Sequence, residues 1–184
     1  MFKSEFITAE KLLNWNSKLN LNLNDSFIKK GQLLLRAGQP CNHFYYVVKG
    51  CLRIYYYDLN GNEVTHWFSA KDTFITSPLS FFRQEENILY IEALEDTRVL
   101  FITSKQFDLI NTNTNFDREF RKLSADFAII LSRRIMDIHT KTAQERYFNL
   151  IETHPYLLQK AKLSHIASFL GITPQSLSRI RKNT

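Results

Sequence analysis

The sequence predicts an α+β protein in which an N-terminal antiparallel β-roll precedes a long helix and a C-terminal helix-turn-helix. Three observations support this fold class. Glycines recur between short aromatic and branched segments in the N-terminal half, and near residue 113 the apolar period changes from about two to about three and a half. A basic pair of short helices then ends the chain. The predicted domains are residues 1–112, 113–139 and 140–184.

Glycines mark the turns of the β-roll, which we expect at about residues 25–103. We predict strands at residues 44–48, 52–57, 63–68, 90–94 and 97–102. Lys49-Gly50 and Glu95-Asp96 are predicted to join two pairs of these strands as hairpins. Asn60-Gly61 predicts a third hairpin, with a type I′ turn. The glycines at predicted turns in this region are Gly31, Gly38, Gly50 and Gly61.

An apolar stripe with helical spacing follows the roll and continues to Ile138. The stripe could pack on the roll of its own chain, or it could pair with its copy across a two-fold axis. We expect a mixture weighted towards pairing, because one small helix-turn-helix rarely contacts enough DNA alone. The predicted dimer seam is Phe120, Leu123, Phe127 and Leu131. A second helix is expected at about residues 142–152, and residues 156–162 are expected to form a short wing or turn.

The last two dozen residues have the signals of two helices joined by a very short turn. Ser164 is the predicted cap of the first helix, and Gly171 supplies the left-handed residue that ends it. Thr173 is the predicted cap of the second helix, with Pro174 in its first position. Leu177 and Ile180 then point towards the core. The opposite face holds Gln175, Ser178, Arg179 and Lys182, which are hydrogen-bonding side chains.

The positive charge lies at the C-terminal end of the chain. Acidic and basic residues balance over residues 1–110, so the whole net charge of +6 lies in residues 111–184. No acidic residue follows Glu152. The basic residues beyond Glu152 therefore predict an unopposed positive field, which suits DNA phosphates. These residues are Lys160, Lys162, Arg179, Arg181 and Lys182.

The order of these parts resembles that of the bacterial Crp-Fnr transcription regulators. The resemblance rests on KGQ at residues 30–32, AGQP at 37–40, VVKG at 47–50 and, above all, IASFLGITPQSLSRI at 166–180. It implies a cyclic-nucleotide-binding-like jelly roll, a dimerisation helix and a winged helix-turn-helix. It also implies a homodimer that binds double-stranded DNA at a palindromic operator, with RNA polymerase as a possible further partner.

The resemblance also assigns roles to residues of the second helix. Thr173 takes the position of the cap and phosphate contact, and Pro174, Gln175 and Arg179 take the base-reading positions. Arginine is usual at the position of Pro174 and glutamate at that of Gln175, so the operator of better-known relatives should not be assumed. The predicted DNA-binding residues are Lys162, Thr173, Pro174, Gln175, Ser176, Ser178, Arg179 and Lys182.

The residues that hold a cyclic nucleotide in such regulators are absent. Thr76 and Ser77 replace the Gly-Glu pair that holds the ribose, and Asn87-Ile88-Leu89 stands where the phosphate-binding arginine is expected. Arg83 is close in sequence but is interpreted as a surface residue. Since an anionic phosphate needs a cationic partner, we expect no control by cyclic AMP. No cofactor is predicted, and the effector is unknown.

Other classes of protein fit the sequence less well. His43 and His66 could serve as metal ligands in a cupin-like enzyme, but there is no His-x-His pair, so neither a metal site nor an enzyme is predicted. Cys41 and Cys51 provide no disulfide framework. With no apolar signal sequence or membrane span, a cytoplasmic protein is expected. The alternative function is a small-molecule sensor whose C-terminal helices contact protein and not DNA.

Overall fold

The computed structural model describes residues 9–19 and 22–182. The elements are α1 (Ala9–Leu19), β1 (Asn24–Ile28), β2 (Leu33–Leu35), β3 (His43–Lys49), β4 (Cys51–Tyr57), β5 (Glu63–Ala70), β6 (Phe74–Ile75), α2 (Pro78–Arg83), β7 (Tyr90–Ala93), β8 (Thr97–Thr103), α3 (Ser104–Asn111), α4 (Thr114–Thr140), α5 (Ala143–Thr153), α6 (Leu157–Lys160), α7 (Leu163–Phe169) and α8 (Pro174–Lys182). The α+β class and the order of roll, long helix and helix-turn-helix are confirmed.

Two four-stranded antiparallel sheets form the roll, in the orders β1-β8-β3-β6 and β2-β7-β4-β5. Alternate side chains of both sheets point into a shared apolar core. Val47 and Val99 come from the first sheet and Leu52 and Ile91 from the second, and all four are fully buried. The roll is therefore a jelly roll with its core between the sheets.

Two of the three predicted hairpins are wrong. β3 and β4 flank Gly50 but lie in different sheets, and β7 and β8 are likewise separated at Glu95-Asp96. At these two corners the chain crosses between sheets, and the corners pack closely together. Gly50 has a φ of +104°, and a Cβ there would lie 2.3 Å from Oγ1 of Thr97. Only glycine permits this approach, because any side chain would collide with the neighbouring corner.

The hairpin at Asn60-Gly61 is confirmed, since β4 and β5 pair along their lengths. The predicted type I′ turn is wrong, because it needs a positive φ at both central residues and only Gly61 has one. The connection is longer, and it is closed by Asp58. Its Oδ1 accepts hydrogen bonds from the backbone N–H groups of Asn60 and Asn62, both at 2.9 Å. These side-chain hydrogen bonds hold the connection together without a type I′ turn.

The long helix is confirmed as α4, whose first turn is capped by the side chain of Asn113. Its apolar stripe packs on the roll of the same chain, which is the other possibility that the sequence left open. Leu123 is only 5% exposed and shares an apolar cluster with Phe120, while Phe127 and Leu131 pack against the core between the sheets. Leu123 is buried against the roll, whereas Phe120, Phe127 and Leu131 are half-buried. Their predicted role as a dimer seam stays a prediction.

The C-terminal part consists of four helices, α5 to α8, joined by short turns. The second predicted helix is confirmed as α5, which Thr142 and Glu145 begin with a reciprocal capping box. The segment predicted as a short wing or turn contains a short helix, α6, and no strand occurs among residues 141–182. In the described parts of the chain, every helix is too short or too polar to cross a lipid bilayer.

Candidate nucleic-acid interface

The first helix of the helix-turn-helix, α7, begins two residues earlier than the sequence suggested, with Lys162 and not Ser164 as its N-cap. Lys162 is extended and its carbonyl accepts hydrogen bonds from the N–H groups of His165 and Ile166, so Ser164 lies inside the helix and does not cap it. The end of α7 is as predicted. Gly171 has a φ of +71°, and the N–H of Ile172 donates to the carbonyl of Ala167 at 3.0 Å. This left-handed residue turns the chain sharply towards α8.

The start of α8 is also as predicted. Oγ1 of Thr173 accepts a hydrogen bond from the backbone N–H of Ser176 at 3.1 Å, and Pro174 occupies the first helical position. The Thr173 hydroxyl donates in turn to Oγ of Ser176 at 3.0 Å. The hydroxyls of Thr173 and Ser176 therefore fix the first turn of α8.

Packing against α5, α6 and α7 fixes the rotation of α8 about its axis. Leu177 is fully buried in a cluster that includes Leu150, Leu157 and Ile166, and Ile180 packs against its edge. Both residues point to the core as predicted. Since residues three and four apart share a helix face, burying Leu177 turns the opposite face outwards.

The predicted outward face of α8 is assembled as expected. Gln175, Arg179 and Lys182 are exposed and Ser178 is half-buried beside them, while Arg181 is exposed on the flank. Lys162 is exposed at the start of α7. The structure brings these donors to one side of the helix-turn-helix. Their contact with DNA stays a prediction.

One of the cations counted in the positive field is not free. Nζ of Lys160 lies 2.6 Å from Oε2 of Glu95, at the corner between β7 and β8. This hydrogen bond and the carboxylate charge raise the pKa of Lys160. The expectation that nothing opposes its charge is therefore wrong. The pairing partner lies 65 residues earlier in the chain, and no local signal indicated it.

The helix-turn-helix also docks on the outer face of β5, which the sequence analysis missed. Oγ of Ser168 donates to Oγ1 of Thr65 at 2.9 Å and accepts from the N–H of Thr65 at 3.1 Å. The rings of Phe68 and Phe169 lie 5.2 Å apart between centroids. Because the partners are about a hundred residues apart in sequence, only the tertiary structure reveals them.

Arg134 of α4 joins this contact. Its guanidinium donates one hydrogen bond to the carbonyl of His66 and another, at 3.1 Å, to the carbonyl of Phe169. The same group lies 4.1 Å from the centroid of the Phe169 ring. A single side chain of the long helix thus holds both the roll and the end of α7.

A second candidate site is a cavity of about 270 Å³ between the roll and α4. Thr76 lines it, but its hydroxyl donates to the carbonyl of His43 at 2.9 Å. Asn87 is buried and its amide donates to the carbonyls of Arg36 and Leu89, both at 2.8 Å. Arg83 is exposed and is not among the lining residues. These positions therefore offer no guanidinium to a bound phosphate.

His43 is half-buried among aromatic side chains, whereas His66 is exposed. The His43 ring lies 4.9 Å from that of Phe101 between centroids, edge to face, and His66 lies beside Tyr56. Within residues 9–19 and 22–182, no three His, Cys, Asp or Glu side chains are grouped as metal ligands. Cys41 and Cys51 are buried thiols.

Known proteins share parts of this architecture. Residues 26–111 match the family of the cyclic nucleotide-binding domain. No curated protein matches the chain by sequence. Among solved structures, a CooA mutant from Carboxydothermus hydrogenoformans is 18% identical over 97% of this chain and 86% of that chain, with a TM-score of 0.68. FixK2 from Bradyrhizobium japonicum is 19% identical over 88% of this chain and 83% of that chain, with a TM-score of 0.70.

A protein from Eubacterium rectale that is described as a transcriptional regulator of the Crp/Fnr family is 22% identical over 96% of this chain and 82% of that chain, with a TM-score of 0.71. The agreement extends over roll, long helix and C-terminal helices, because each alignment covers most of both chains. Residues 26–111 therefore match the family of the cyclic nucleotide-binding domain, and the fold of the chain is similar to that of the Crp/Fnr transcription regulators.

Proposed function

We propose that the protein is a transcription regulator that binds specific sequences of double-stranded DNA in the cytoplasm and has no enzymatic role. The observation that carries this proposal is the orientation of α8. Leu177 anchors one face in the core, while Gln175 and Arg179 are exposed on the other. Arginine can form two hydrogen bonds with guanine in the major groove, and glutamine can do so with adenine.

The charges around α8 support binding to a polyanion. Arg179, Arg181 and Lys182 lie in its last turn, and Lys162 is exposed at the start of α7. Lysine and arginine side chains near a groove neutralise phosphates and release counterions. Phosphate contacts supply affinity, whereas the base contacts of Gln175 and Arg179 supply specificity.

We further propose that the protein acts as a homodimer through the face of α4 that points away from the roll. Ala125, Ile129, Ser132 and Met136 are exposed there at alternating intervals of four and three residues. This spacing is that of a coiled-coil seam. A two-fold dimer presents two copies of α8 to a palindromic operator whose half-sites lie about 34 Å apart. RNA polymerase is the further partner that such a regulator would contact.

Selection of bound duplexes from a random pool tests this function. A regulator of this kind should enrich one palindromic sequence and bind it tightly at moderate salt. If every duplex binds alike, or if binding disappears at moderate salt, sequence recognition is refuted. The alternative, a sensor whose C-terminal helices contact protein, would then be favoured.

A further inference from the structure

A groove of about 440 Å³ lies on the outside of the roll, where turns of the roll meet the segment around α6. Lys49 stands at the corner between β3 and β4, and Lys71 lies in the turn between β5 and β6. Lys160, at the end of α6, lines the opposite side. Three ammonium groups from separate parts of the chain therefore surround one concavity.

Most of the positive charge in this groove has no partner. Lys49 and Lys71 are exposed, and neither forms an ion pair with any carboxylate of the described residues. Glu95 is the single carboxylate among the described lining residues, and Nζ of Lys160 lies 2.6 Å from it. An ammonium group has three donors, so this pair leaves Lys160 able to bind a second anion.

Hydrogen bonds within the roll hold the turn that carries Lys71. Oγ1 of Thr73 donates to the carbonyl of Ala70 at 2.5 Å. The carboxylate of Asp72, next to Lys71 in sequence, accepts a hydrogen bond from the Tyr46 hydroxyl at 2.8 Å. The backbone of this turn is therefore fixed, and its nearest acid is engaged by the roll and not by Lys71.

The charge and size of the groove select its guest. Lysine ammonium groups bind phosphate as point charges, and a cleft lined by one sign of charge concentrates the opposite ion. Three lysines against one glutamate leave a surplus of two positive charges, which one carboxylate cannot balance but two linked phosphates can. A DNA duplex is much wider than this concavity, so it could touch only the lysines at the rim.

We propose that the groove binds a small polyanion with at least two linked phosphate groups, held by Lys49, Lys71 and Lys160. None of these residues lines the cavity between the roll and α4 or lies on the outward face of α8. The site therefore goes beyond the proposed function, and its occupancy can be measured without DNA.

Inorganic pyrophosphate is the probe of the chemical class. Calorimetry on the full chain at low salt should give a dissociation constant in the micromolar range. Orthophosphate should bind at least roughly tenfold more weakly, because it brings fewer charges to the same three lysines. The proposal is overturned if pyrophosphate does not bind, or if orthophosphate binds as tightly.

A pair of matched lysine variants tests the location. Lys71→Gln removes one charge from the groove and should weaken binding of pyrophosphate at least roughly fivefold. Lys105→Gln removes the same charge at an exposed position of α3 and should change the affinity by less than about twofold, because solvent and salt screen distant charges. Equal losses in the two variants would show diffuse attraction to a basic protein and would refute the site.

A substitution of the opposite sign tests the charge balance. Glu95→Gln removes the one carboxylate from the lining and should tighten binding of pyrophosphate at least about twofold. Glu86→Gln makes the same change at an exposed position outside the groove and should leave the affinity nearly unchanged. Weaker or unaltered binding in Glu95→Gln would contradict the proposed arrangement.

Affinity for random duplex distinguishes a free phosphate compound from the phosphates of DNA. Lys71→Gln should change this affinity by less than about twofold, since the duplex does not enter the groove. If pyrophosphate fails to bind and Lys71→Gln weakens the duplex, the lysines serve DNA and the proposal is wrong. Loss of sequence recognition by the unmodified protein would refute the proposed function and not this site.

Discussion

Arg179→Ala separates base reading from simple attraction to phosphates. Arg179 is exposed on the same face of α8 as Gln175, so it can reach a base edge when the helix lies in the major groove. Losing one bidentate contact with guanine costs about 1–3 kcal/mol, which is roughly a 5- to 150-fold loss of affinity for the selected operator. Random duplex contains no fixed guanine at that position, so its affinity should change much less.

Arg181→Ala is the matched control, because it removes the same group from the same turn of α8. Arg181 is exposed on the flank of the outward face, and we expect it to contact phosphates and not base edges. Its loss should weaken operator and random duplex alike and reduce the slope of log K against log salt by about 0.9. Fluorescence anisotropy at several salt concentrations measures both quantities. If Arg179→Ala weakens the two duplexes equally, the base-reading role is wrong.

Three further predictions concern assembly and stability. Leu177→Ala should lower the free energy of unfolding by about 2–5 kcal/mol in urea, because the side chain is fully buried; a loss below about 1 kcal/mol would contradict its anchoring role. Ile129→Asp should give monomers by light scattering, whereas Leu158→Asp, at an exposed position of α6, should leave the dimer intact; a dimer in both variants would exclude the proposed seam. His165 has a pKa lowered to about 4 by desolvation first and by the charge of Arg53 second. Its unfolded pKa is about 6.5, so the unfolded chain binds the proton first as the pH falls, and stability on the order of 3 kcal/mol should be lost between pH 6.5 and pH 4. Urea midpoints across this range should be flatter for His165→Leu, and an unchanged slope would argue against a neutral, buried imidazole.

Local signals in the sequence predicted much of the candidate interface. Gly171 ends α7 and Thr173 caps α8 because each acts on backbone groups only a few residues away. The outward face of α8 follows from helical periodicity alone. Ser164 shows the limit of such signals, since a residue able to cap a helix can equally occupy its first turn.

The sequence by itself predicted five of the eight strands that the structure describes, the long helix, α5, the helix-turn-helix and the segment where the charge accumulates, but it missed β1, β2, β6 and the helices α1, α2 and α3. It did not determine which surface covers each apolar face, because periodicity has no information about distant partners. The stripe of Phe127 and Leu131 could have met a second chain, yet it meets the roll. Strands on either side of Gly50 resemble a hairpin in sequence, but they lie in different sheets, and the corner between them packs closely against Thr97. Contacts such as Lys160 with Glu95 and Ser168 with Thr65 exist only because folding brings distant segments together.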